Sequence, residues 1–135
     1  MFNTTKKSEE LIPGMQKILN FENEPKWYTI RFAIFMSLGL KENIDLTRKL
    51  NFEGGVNYKT EFITGRNKTD IEGVQADYND LIAIMMSNYH DIELNDANVL
   101  DKLLEQHCER GFEHLSKNLN GSSSIFVFLK SELSA

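Results

Sequence analysis

The sequence predicts an all-α, compact single domain of four to five helices with an irregular central loop, assembling as an oligomer. Three observations lead there. Apolar residues recur at three- and four-residue steps in four segments, the spacing of helices with one buried face. One of those helices, over residues 25–38, is apolar on almost every side, as in a central helix or an oligomer contact. The chain has 135 residues, 41% hydrophobic and 26% charged, the size and composition of one globular domain.

The first helix is expected over about residues 5–20. Leu11, Ile12, Met15, Ile18 and Leu19 fall on one face, and Ser8 followed by Glu9 and Glu10 suits its start. Pro13 interrupts it, because proline removes a hydrogen bond and crowds the preceding turn. The helix is therefore expected to begin or to kink there. Pro25 suits the first turn of the second helix, where its missing N–H has no partner to lose. Trp27, Ile30, Ile34 and Leu38 form its stripe, widened by Phe32, Phe35 and Met36. Arg31 is the exception on this helix and is expected either to pair with a carboxylate or to emerge into water.

Residues 39–58 read as irregular, with a short helical turn near Asp45–Leu50. Tyr58 to Thr64 carries β-branched and aromatic residues that allow a short extended piece, although a lone strand has no evident partner. Residues 65–73 read as a surface loop. A third helix is expected from about Gln75 to His90 on Tyr78, Leu81, Ile82, Met85, Met86 and Tyr89. Asn95 or Asp96 would cap the fourth. That helix carries the cleanest stripe, Val99, Leu100, Leu103, Leu104, Cys108, Phe112, Leu115 and Leu119, and Gly121 would end it. Two units follow: a helical domain, 1–119, and a Ser-rich joint with an apolar tail, 120–135.

Charge is unevenly distributed. Residues 1–68 carry 11 Lys and Arg against 8 Asp and Glu, whereas residues 69–135 carry 4 against 12. A basic half suits an anionic partner, and the acidic half either solubilises the chain or faces proteins. A single cysteine, Cys108, excludes an intramolecular disulfide and fits a reducing, cytoplasmic compartment. The polar first ten residues do not read as a secretory signal, and no apolar run is long enough for a membrane span.

Chemistry-bearing residues do not assemble into a known catalytic pattern. His107 and His114 with Cys108 lack the spacing of a zinc site, and scattered histidines usually end at a surface or an interface. Cys108 lies on the apolar stripe and is expected to be buried and inert. Asp77 with Asp80, and Glu105, Glu109 and Glu113, have the helical spacing of a solvated acidic face. No catalytic residue, cofactor or metal site is expected, and the protein is expected not to be an enzyme. Lys6, Lys7, Lys17, Lys26, Arg48, Lys49, Lys59, Arg66 and Lys68 are the candidate contacts to a DNA phosphate backbone. Arg31 and Arg110, on helices with apolar faces, are expected to be structural ion-pair partners.

In order and spacing the chain resembles the DndE family of bacterial DNA phosphorothioation, or sulfur-modification, systems. The resemblance rests on four segments: Lys6-Lys-Ser before the helix around Leu11–Leu19; Pro25-Lys-Trp-Tyr-Thr-Ile-Arg31-Phe-Ala33-Ile-Phe-Met-Ser37-Leu38; Asn57-Tyr-Lys-Thr-Glu-Phe-Ile-Thr64-Gly65; and Glu105-Gln-His107-Cys-Glu-Arg110-Gly111-Phe-Glu-His-Leu115. Together they cover about residues 6–119. Arg66 stands where the family has an acidic residue, residues 66–76 look like an insertion, and the tail after Gly121 lies outside the match. The resemblance implies a helical subunit that forms a tetramer and serves the sulfur-modification machinery. It implies DNA binding, including nicked double-stranded DNA, with sulfur transfer left to partner proteins. The other reading is an adaptor in the same or another DNA-modification or defence complex, without direct DNA contact.

Overall fold

The computed structural model describes residues 1–65 and 78–119. In chain order these form β1 (Phe2–Asn3), α1 (Lys6–Ile18), α2 (Lys26–Leu38), β2 (Asn57–Tyr58), α3 (Thr60–Thr64), α4 (Asn79–His90) and α5 (Ala97–Asn118). The fold is mostly helical, as the sequence predicts.

Helix α2 is the central element and packs most extensively on α5. Its polar positions are few, so nearly every face has to be covered. Ile30, Ala33 and Ile34 are fully buried, as are Leu104, Phe112 and Leu115 of α5. The two helices meet most closely at Gly111. A Cβ there would lie 1.9 Å from the Ala33 carbonyl oxygen, so no larger residue fits without separating the helices.

Several elements depart from their expected form. Helix α1 begins at Lys6, because the Thr5 hydroxyl accepts from the Ser8 N–H at 3.1 Å. It runs through Pro13, which is solvent-exposed, so water can reach the carbonyl that loses its in-helix donor. The extended piece expected over 58–64 is divided. Only Asn57–Tyr58 is strand, paired antiparallel with Phe2–Asn3, and Thr60–Thr64 is helix. The missing partner was therefore the N-terminal arm. In place of a helical turn at 45–50, Asp45 accepts hydrogen bonds from the Thr47 N–H and hydroxyl, a local side-chain turn. On α4 only Ile82 and Met86 of the expected stripe are buried; Leu81 stands 49% exposed. Asp96 caps α5 by accepting from the Asn98 N–H, and the helix ends at Asn118. Asp77 and the expected helix stop at Gly121, with the whole 120–135 tail, lie outside the described residues.

Both buried arginines close helix ends. Arg31 donates to the carbonyls of Ile63 at 2.8 Å and Phe62 at 3.3 Å, at the end of α3. Its guanidinium lies over the Tyr78 ring at 4.7 Å and the Tyr28 ring at 5.6 Å. Arg110 donates to the Ser37 carbonyl at the end of α2, to the Glu42 carbonyl, and to the Ser37 and Tyr89 hydroxyls. The expected carboxylate partners are replaced by carbonyls, which carry the negative end of the helix dipole. Gly65, at φ 73°, ends α3 in the left-handed conformation that glycine adopts without steric cost.

A glycine-to-alanine change inside a helix ordinarily adds about 1 kcal/mol of stability. Gly14→Ala, with no atom within 4 Å of the new methyl, should show that gain. Gly111→Ala should reverse the sign and cost about 1–3 kcal/mol through overpacking. Urea unfolding of the two variants beside the parent measures both.

Candidate nucleic-acid interface

The candidate cations do not lie together along the chain, and the fold gathers only some of them. Lys6 and Lys7 open α1. Arg48 and Lys49 come from the irregular 39–56 segment. All four line one open basin of about 530 Å³ together with Thr5, Glu10, Asn51 and Glu53. The aliphatic stem of Lys6 lies against Gly54, where an added Cβ would approach it to 3.1 Å.

The basin is positioned from beneath by an acidic column on α5. Asp101, Glu105, Glu109 and Glu113 recur every four residues and so share one helix face. They are not the solvated face that their spacing suggests: the first three are buried. The Thr60 hydroxyl donates to Asp101 at 2.6 Å. The Asn3 backbone and side-chain amides donate to Glu105 at 2.7 and 3.0 Å. The Thr5 and Ser8 hydroxyls donate to Glu109 at 2.6 and 2.8 Å. Glu113, nearer the surface, pairs with both Arg48 and Lys7. Burial pushes the Glu105 carboxyl above its usual pKa, against the opposing pull of the Asn3 bonds. The arm that carries Lys6 and Lys7 is thus fastened to α5 through buried carboxylates.

The rim cations hold exposed ion pairs. Lys6 faces Glu10 at 3.9 Å and Lys7 faces Glu113 at 3.7 Å. Pairs of this kind are worth at most about 1 kcal/mol, so a phosphate can take the place of the carboxylate at little cost. Lys49 is exposed and holds no ion pair among the described residues. Lys26 bonds Glu9 at 3.0 Å, and that carboxylate also accepts from Tyr58 and Thr4. Lys59 is the N-cap residue of α3, and Lys17 stands in the last turn of α1, far from the basin. Arg66 and Lys68 lie outside the described residues.

A second polar centre, which the sequence did not suggest, lies between α2, α4 and α5. His107 is fully buried rather than at a surface. Its Nδ1 is 2.8 Å from the Ser37 hydroxyl and its Nε2 is 2.9 Å from His90 Nε2. One Nε2 must donate and the other accept, so both rings are neutral. Tyr89 packs edge-on against both imidazoles. Burial, followed by the neighbouring His90 and Arg110, lowers the His107 pKa to about 3. Burial also lowers that of His90. His114 is separate and bonds Asn118. Cys108 is buried, and burial pushes its thiol far above the usual range, so it has no nucleophilic thiolate at neutral pH. Among the described residues no group of three His, Cys, Asp or Glu side chains is placed to hold a metal. No helix among them is long and apolar enough to cross a membrane.

The segments with family-like order now have physical roles. Ser37 of α2 meets His107 and Arg110 of α5, Ala33 meets Gly111, and Gly65 ends α3. These are the contacts of a small helical protein locked through its second and last helices, with a cationic rim beside the lock. The family model for DndE, the DNA sulphur modification protein, matches residues 1–123, and the chain belongs to that family. Its role therefore lies in DNA sulfur modification. No curated protein and no solved structure is matched by the chain.

Neutral burial of the two imidazoles links stability to pH. Unfolded histidines take up protons below about pH 6.5, whereas folded His107 stays neutral down to about 3. Stability should fall as pH drops through that window, by up to about 1.4 kcal/mol per pH unit for each histidine. His107→Gln retains hydrogen bonding to Ser37 without a titrating proton. Thermal unfolding between pH 7 and 4 should show a shallower decline for that variant.

Proposed function

We propose that this protein is a non-enzymatic accessory subunit of DNA phosphorothioation that holds the DNA backbone, including nicked double-stranded DNA, for partner proteins of the sulfur-modification system. The basin bearing Lys6, Lys7, Arg48 and Lys49 carries this reading. Four cations on an open surface, two of them seated on an arm fixed by buried carboxylates, present preorganised contacts to phosphates. Lys26, Lys59 and Lys17 extend the contact as outlying points. Assembly into an oligomer, a tetramer by family resemblance, would align several such basins along a duplex. A cytoplasmic location fits a DNA substrate and the single unpaired thiol.

One observation favours an adaptor reading instead. Residues 69–101 carry eight acidic residues and no Lys or Arg. Within that stretch Leu81, Ile84 and Ile92 of α4 and its C-terminal flank are exposed. An apolar and acidic surface suits a basic partner protein better than DNA.

Salt dependence separates the two. Duplex affinity measured by fluorescence anisotropy should fall steeply with salt, with a log–log slope near −0.9 for each phosphate neutralised. Neutralising Lys6, Lys7, Arg48 and Lys49 to Gln should weaken binding and flatten that slope by about 0.9 for each contact removed. A folded quadruple variant with an unchanged slope assigns the phosphates elsewhere. No binding at low salt leaves the adaptor reading.

A further inference from the structure

We infer that Trp27, stacked on Phe62, is a base-stacking platform that receives an unpaired nucleobase of single-stranded DNA. The inference rests on the DNA-binding reading above and names the form of DNA that this second point of contact takes.

Trp27 enters from the first turn of α2 and Phe62 from α3, two elements separated by the irregular central segment. Their rings lie nearly parallel, 22° apart, with centroids 5.2 Å apart. Both residues are only partly buried, although indole and phenyl are among the most costly side chains to leave in water. Phe62 is fixed in turn, because Arg31 grips its carbonyl and that of Ile63. The accessible part of the indole is therefore aromatic surface held at a set angle, with little freedom left to lose on binding. A flat, rigid π-surface is what a base needs when it leaves its own stack.

Cations flank the pair on both sides. Lys26 precedes Trp27, and Lys59 stands three residues before Phe62; both are exposed. Each is placed to meet a phosphate adjoining the stacked base. Glu24 and Glu61 are close in sequence to the same two lysines, so local net charge is small. Stacking, rather than bulk electrostatic attraction, has to supply the discrimination. A base in intact duplex keeps both faces covered by its neighbours and cannot present one to the indole. The platform therefore favours a strand with unpaired bases and is indifferent to base identity, since every base has a π-face.

Trp27 is the chain's one tryptophan, so its emission reports the site directly. The experiment titrates the full chain with single-stranded oligo(dT) and with an intact duplex of equal length, reading labelled-DNA anisotropy and tryptophan emission together. Oligo(dT) is expected to quench the emission on binding, and the duplex to bind with little quenching. Trp27→Ala should weaken oligo(dT) binding by about 5- to 100-fold and leave duplex affinity within about twofold. Trp27→Phe should restore part of that loss. Phe62→Leu, which leaves the indole but removes its support, should lower oligo(dT) affinity and reduce the quenching. Oligo(dT) that binds with unchanged emission overturns the platform and leaves the backbone-holding reading intact. So does a Trp27→Ala variant that loses duplex and single-strand affinity equally. Absence of binding to either DNA at low salt overturns both.

Discussion

The structure depends on one close approach. Helix α2 has almost no polar face of its own, so it is stable only where other elements cover it. The largest cover is α5, and the two backbones come together because Gly111 has no side chain opposite Ala33. Once they are that close, His107 reaches Ser37 and Arg110 reaches the end of α2. The buried polar groups then satisfy one another across the same seam. Removing the close approach would leave these groups buried without partners, which costs more than the lost packing alone.

The N-terminal arm is the second consequence of α5. Its amides and hydroxyls meet carboxylates in a column, so each buried acid is matched by donors from a different residue of the arm. Phe2 fills the core beside them and β1 closes on β2. The rim cations inherit their positions from this attachment. Lys6 and Lys7 begin the helix that follows the arm, and Glu113, the outermost acid of the column, draws in Arg48 from a segment without regular structure. The surface that meets a partner is thus set by an acidic face beneath it.

The helices that alternate apolar and polar residues strongly were legible in the sequence. Leu104, Cys108, Phe112 and Leu115 predicted α5, and the proline-led run at 25–38 predicted α2. Periodicity could not show what depends on distant partners. Tyr58 reads as strand and Thr60–Thr64 as a continuation of it until Phe2 pairs at one end and Arg31 closes the other. Glu105 and Glu109 read as solvated because spacing does not reveal that an arm a hundred residues away covers them. His107 was legible only through its place in the His-x-x-Arg-Gly segment, where the residues facing α2 recur at three- and four-residue steps. Of the candidate cations, Lys6 with Lys7 and Arg48 with Lys49 form two adjacent pairs in the sequence. That the two pairs share one basin depends on the course of a loop that follows no pattern.

The order in which the ribosome delivers these elements makes the last helix decisive. Ala33 and Ser37 wait for partners more than seventy residues downstream, and Thr5 waits for Glu109 across about a hundred. Contacts of such sequence separation form late and slowly, because the intervening chain must first be closed into a loop. Until α5 has left the exit tunnel, α2 is an apolar segment with nothing to cover it. A nascent chain of this protein therefore exposes its most hydrophobic helix for most of its synthesis. Truncation before residue 111 gives a product that chaperones and proteases treat as unfolded, however intact its first four helices are in sequence.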